Sequence, residues 1–307
     1  ANLEIQTDDN GSDAFEINDN NSSFTFTGLT LNTDDSSAHG FDINDGNSDF
    51  SFNQISFLGD DGSEAWEIND GNMDFTFEDI DVHASDSSPG FNIDDNNSNF
   101  SFTNISVQGD DSGGGFDIAN NNTEFSFTDV TVSTDDSGDG YRIGDGNSEF
   151  SFTNVTVDTD DTGDAFEIND GNSNFTFDTV TVSTDDSGRG FNINDNNTGF
   201  SFIDVSGISE ESPVFEINDG NSTFTFMNVT ANTIDNEDDA FSINDGNSNF
   251  IFTNVTASTI GEESAGFGIN DNNTDFSFTD VTVSTWGNNA DGFAINQSNS
   301  DFSSTEV

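Results

Sequence analysis

The chain has 307 residues, with 61 acidic side chains against two basic ones (Arg142 and Arg189) and a formal net charge of −59 at pH 7. So acidic a surface repels phosphate, which excludes nucleic acid and anionic membranes as partners, and the lack of cysteine removes disulfides, thiolate metal sites and thiol nucleophiles together. With 30% hydrophobic residues and no run near the ~18 apolar residues of a membrane span, composition alone predicts disorder; the order of the residues reverses that expectation.

The first element is an aliphatic pair, Leu3 and Ile5, alternating with polar neighbours. Next comes an aromatic and an isoleucine, Phe15 and Ile17, then the turn Asn18-Asp19-Asn20-Asn21, then a Phe-x-Phe pair, Phe24 and Phe26. Leu29 and Leu31 form a second aliphatic pair, and Asp34-Asp35 closes the unit. That order then returns along the whole chain. The leading aromatic recurs at Phe41, Trp66, Phe91, Phe116, Tyr141, Phe166, Phe191, Phe215, Phe241, Phe267 and Phe293, at intervals of 24 to 26 residues.

Each pair has the period-2 alternation of a strand with one buried face. Propeller blades need four strands and about 40 residues, so three short strands per unit predict one turn of a coil, with equivalent strands stacked in parallel ~4.8 Å apart. Phenylalanines repeated at three places then become three ring columns inside the coil. The turn agrees, because the residue after Asn-Asp is Gly or Asn in eleven of twelve units, with Ser298 the exception, and these residues tolerate positive φ. The following asparagine, Asn21 through Asn299, is present in every unit and is predicted to form a stacked amide ladder.

On these residues the chain resembles the parallel β-helix, or β-solenoid, with three strands per coil and an internal asparagine ladder; no single named family is implied. The reading is an all-β, three-strand-per-coil parallel β-helix, right-handed by its coil length, of about twelve coils of ~25 residues, spanning 1–307 as one solenoid without a separate capping domain. Enzymes that look like this fold use a basic residue or a calcium cluster in an irregular groove. Here lysine is absent, the arginines stand apart, and every coil offers nearly the same acids, whereas a catalytic pair must differ from its surroundings. The expectation is therefore no enzyme, with a carbohydrate-active enzyme as the lesser alternative. His39 and His83 are assigned solvated surface positions.

The acidic turn offers a cation site. Asp110, Asp111, Asp135, Asp136, Asp160, Asp161, Asp185 and Asp186 follow the aliphatic strand in successive units, and Asp139 and Asp164 lie just beyond. Stacked in register, like charges would face one another at every coil. High ionic strength, as in a halophilic source, would screen them; Ca2+ would do so more specifically, since carboxylates and turn carbonyls are its preferred ligands.

Other surfaces are less marked. Outward hydroxyls such as Thr25/Thr27 and Ser126/Thr128 resemble an ice-binding array, interrupted at Ile203 and Met227. Sequons at Asn104, Asn154, Asn228 and Asn254 suit a secreted glycoprotein. The turn shortens at Ser206–Pro213 and lengthens around Trp286, which would pack over the end or fold onto its own coil. Leu3, Ile5, Phe293, Ile295, Phe302 and Val307 are predicted to form apolar ends that a second copy covers head to tail, making a filament; a fragment of a longer repetitive adhesin is the alternative. The overall expectation is a structural subunit of an extracellular filament or cell-surface fibre whose partners are itself and, on its flanks, surface glycans.

Overall fold

In the computed structural model, residues 3–7, 11–34, 38–60, 62–85, 87–110, 112–234 and 238–306 are described. All paired strands run parallel, and each unit pairs with the next in register, as in Phe116↔Tyr141 and Ile118↔Ile143 or Val130↔Val155 and Val132↔Val157. Three-residue strands from Phe15–Ile17 to Tyr141–Ile143 and beyond stack into a narrow 12-stranded sheet. The second and third strands of each unit form a broad 17-stranded sheet. In the middle coils they are one bent run, such as Ser126–Thr134, and from Ser201–Ile203 and Ser206–Ser209 onward they separate. The parallel β-helix of three strands per coil is therefore the observed fold.

Corners are made by positive φ. The position after Asn-Asp is left-handed as predicted, at φ 58° in Asn121 and 69° in Gly146. Two further corners per coil were not predicted, although Asn, Asp or Gly holds them in most coils: one precedes the Phe-x-Phe pair (Glu124 at 60°, Asn174 at 59°) and one bends the long strand (Asp129 at 55°, Thr179 at 58°). Most residues at these corners are Asn or Asp, such as Asn99, Asn104 and Asp129, which enter this region readily; at Glu124 and Thr179, where a left-handed residue costs roughly 1–2 kcal/mol, inter-coil pairing imposes the geometry. At the fourth turn glycine is required by space. A Cβ on Gly163 would stand 2.2 Å from the carbonyl oxygen of Gly138 in the coil before.

The core is the predicted set of ring columns. Tyr141 stacks on Phe166 at 4.8 Å, Phe150 on Phe175 at 4.8 Å and Phe152 on Phe177 at 4.8 Å. Between columns the rings meet edge to face, as Phe152 does with Phe166 at 5.2 Å and 83°. Both arrangements suit the ring quadrupole. Ring spacing thus matches strand spacing, and neither periodicity strains the other. Trp286 does not join the core; 70% of its surface is exposed.

Candidate functional site

The Asn-Asp-x-Asn turn is occupied by structural work. The buried second asparagine accepts the backbone N–H of its counterpart one coil earlier, as Asn172 does from Asn147 at 2.7 Å. Its amide nitrogen donates to a carbonyl three residues before it, Asn169 in this case, at 2.8 Å. Amide-to-amide bonds do occur, but in a different column, where Asn194 donates to Asn169 at 2.8 Å. The aspartates of the turn accept N–H groups in the same way, Asp145 from Asp170 at 3.0 Å. These acids are ladder acceptors, which explains their repetition without a ligand.

The acidic turn divides the predicted cation residues. Asp135, Asp160 and Asp185 stack in one exposed column and Asp136, Asp161 and Asp186 in another, held by backbone bonds such as Asp160 N–H to Thr134 O at 3.0 Å. Hydrogen-bond contact with Asp135 raises the Asp160 carboxyl above its ordinary range. Asp136 and Asp186 do the same to Asp161. Asp139 and Asp164 are placed elsewhere, past Gly138 and Gly163, where Asp139 accepts the Asp164 N–H at 2.9 Å and Asp164 accepts the Arg189 N–H at 2.8 Å. Asp110 faces His83 Nε2 at 3.1 Å, and Asp111 lies outside the described residues.

The narrow sheet carries a second set of groups. Its outward column runs Glu16, Asp42, Glu67, Asn92, Asp117, Arg142, Glu167, Asn192, Glu216. The turn just before each strand adds Asp13, His39, Glu64, Pro89, Gly114, Asp139, Asp164 and Arg189 alongside. Every cation here is flanked by acids. Arg142 meets Glu167 at 3.3 Å and Asp117 at 3.7 Å. Arg189 meets Glu216 and Asp164.

His39 is less solvated than the sequence predicts: its side chain, 19% exposed, faces the next coil, with Nε2 3.0 Å from Glu67 and Nδ1 3.6 Å from Glu64. Between this group and Arg142 the small residues Pro89 and Gly114 leave a hollow of about 210 Å³ edged by Asp117, Asp139 and Arg142. Burial raises Asp139 to about 7 and Asp117 above its ordinary value. Burial, with Glu67 nearby, also raises Glu64 to about 7. Sequence reasoning missed this face because its groups are one coil apart; His39 and Glu64 hold the same place in successive units, so the register alone would have found them.

The remaining expected residues are at the ends. Leu3 is 55% and Ile295 49% exposed, while Ile5, Phe293 and Phe302 pack partly against the core; Val307 lies outside the described residues. The four sequon asparagines occupy exposed left-handed bends, where Asn154 donates to Asp129 at 2.5 Å and Asn228 to Asp204 at 2.7 Å. Corner chemistry therefore accounts for the sequon pattern by itself.

No protein-family model matches the sequence, and comparison with curated proteins yields no match. Among solved structures the chain is similar to the A-module of the Azotobacter vinelandii mannuronan C-5 epimerase AlgE6, at 13% identity and a TM-score of 0.55, over 99% of this chain and 82% of that one. The A-module of AlgE4 from the same organism is similar at 9% identity and a TM-score of 0.43, over 97% of this chain and 91% of that one. For the Streptococcus pneumoniae surface protein and adhesin PfbA the values are 8% and 0.37, over 92% and 91%.

The likeness shows the fold alone. It nevertheless corrects one expectation. Exclusion of an enzyme rested on the absence of lysine, on arginines that stand apart and on coils that offer nearly the same acids, yet a module of an enzyme shares this fold, and on the narrow sheet burial raises Glu64 and Asp139 to about 7. The acids are not equivalent, so the exclusion is withdrawn.

Proposed function

We propose that the chain is a structural rod of the cell exterior that stacks end to end on copies of itself. One observation carries the reading: both ends of the described stack expose the same positions of the unit. At one end Phe278, Phe293, Ile295 and Phe302 line a mostly apolar hollow of about 300 Å³. At the other, Phe15, Ile17, Phe24 and Phe26 line its counterpart. A second copy set on the first would continue two of the three ring columns, those ending in Phe293 and Phe302, at the ~4.8 Å spacing of the coils, with Ser304 interrupting the third, and a head-to-tail contact of this kind propagates without closing. The exposed rings supply the driving force and the long acidic flanks keep neighbouring rods apart.

The test is electron microscopy of the purified chain with sedimentation velocity. Rods in multiples of roughly 58 Å, twelve coils at ~4.8 Å, are expected, together with their loss in the end variants Leu3→Asp and Ile295→Asp. A monomer at all concentrations, with both ends apolar, would overturn the reading.

A second reading is favoured by the hollow at Asp117, Asp139 and Arg142. An arginine between raised carboxyls, in a shallow trough along the rod, suits binding or processing of a polysaccharide laid across several coils. Titration of neutral and uronate oligosaccharides against the chain and its Arg142→Ala variant tests it. Affinity that the variant lowers supports the reading, and equal or absent binding removes it.

A further inference from the structure

We propose that His39, Glu64 and Glu67 form a binding site for one divalent transition-metal ion of the zinc type. Among the described residues these three each offer a ligating atom, all within 4.8 Å of one another. Atoms bound tetrahedrally to one ion at ~2.0–2.2 Å stand about 3.3–3.6 Å apart, so the glutamate side chains must draw in by roughly 1 Å to close the set. The residues come from two successive coils, His39 from one turn and Glu64 and Glu67 from the next, and the core beneath them, Phe41 stacked on Trp66 at 5.5 Å, is rigid.

Two buried side-chain atoms here lack a partner. Nδ1 of His39, in the turn before the strand, is shielded from solvent and has no hydrogen bond, and Oδ1 of Asp42, on the strand that follows, is in the same state. Buried polar atoms without partners are rare and each leaves a desolvation cost unrepaid. A cation bound at Nδ1 between the imidazole and the carboxylates would satisfy the first of these atoms. Glu64 also receives Asn92 Nδ2 at 3.4 Å, the orienting contact that metal-bound carboxylates commonly have, and the His39 backbone is anchored by its N–H to Asp13 at 2.9 Å.

The donor set defines the ion. One nitrogen and two carboxylate oxygens suit Zn2+, Co2+ or Mn2+, whereas Ca2+ takes six to eight oxygens and Mg2+ keeps most of its water. The site is thus chemically distinct from the acidic turns, which offer oxygen only. It lies on the narrow sheet two coils from the hollow at Asp117 and Asp139, and it does not depend on end-to-end assembly.

The experiment is calorimetric titration of the full chain with Zn2+ in excess Ca2+, which occupies the unspecific acidic surface, together with the visible absorption of a Co2+ complex. One Zn2+ per chain and a Co2+ spectrum of low coordination number are expected. His39→Ala should lower affinity at least tenfold and remove the spectrum, and Glu67→Gln should lower affinity by a similar factor, while His83→Ala leaves both unchanged. Circular dichroism confirms that each variant keeps its strands; Glu67→Gln, on an outward position, serves where His39→Ala does not fold. No stoichiometric binding, or binding that neither His39→Ala nor Glu67→Gln weakens, would overturn the proposal and leave His39 in contact with its glutamates alone.

Discussion

The backbone N–H of Asn147 donates to the side-chain oxygen of Asn172, one coil further along, at 2.7 Å, and neither residue is accessible to solvent. This contact ties adjacent coils at a point where no strand pairs. Replacing Asn172 with leucine keeps the volume but strands the Asn147 N–H and the Asn169 carbonyl, which now receives the Asn172 amide at 2.8 Å. Each orphaned buried group costs about 1–3 kcal/mol, so a loss of about 2–4 kcal/mol is expected in urea unfolding. A loss below 1 kcal/mol would mean that water reaches the turn and that the ladder is not a major clamp.

The opposite outcome is expected at Tyr141. Its hydroxyl is buried with no hydrogen-bond partner while its ring stacks on Phe116 and Phe166. Phenylalanine fills this place in most other coils, so Tyr141→Phe keeps the ring and deletes the orphan. A gain of roughly 1 kcal/mol is expected, seen as a higher Tm. An unchanged or lower Tm would show that the hydroxyl has found a partner in solution.

What could be read from sequence is what depends on one unit alone. The ring columns, the aliphatic pair and the left-handed place at Gly146 each follow from residue types within 25 positions, and each stands where expected. The corners at Glu124 and Thr179 did not, because glutamate and threonine carry no preference for positive φ and are held there by the coils on either side. The metal-ligating group escaped for a related reason. His39 and Glu64 are unremarkable in their own units, and only the register brings Nδ1 to 3.6 Å from the carboxylate.

Stability should fall as pH rises from about 4 to 7. Burial raises the Asp139 carboxyl to about 7 and that of Asp239 to about 6, against ~3.9 in an unfolded chain. The folded state therefore holds protons that the unfolded state has released. Its contribution is complete below pH 4, declines through the interval and is gone above 7. Asp139→Asn keeps an oxygen to accept the Asp164 N–H without a charge. The variant should match the parent at pH 4 and melt higher at pH 8, and parallel Tm profiles across that range would refute the assignment.

Salt should act most strongly at the acidic turns. Asp136, Asp161 and Asp186 lie exposed in one column, close enough that the carboxyl of Asp161 is raised by its two neighbours. Between 0.1 and 1 M NaCl the screening length falls from about 10 Å to about 3 Å, below the ~4.8 Å between coils, so repulsion within the column is largely removed. Tm should rise over that range, and Asp161→Asn should raise Tm at 0.1 M while reducing the further gain from salt. Millimolar Ca2+ added at 1 M NaCl separates screening from coordination, because general repulsion is already suppressed there. An additional rise in Tm, reversed by chelator and diminished in Asp161→Asn, is the result expected of carboxylates that ligate the ion; no rise would leave ionic strength as the only agent acting on these turns.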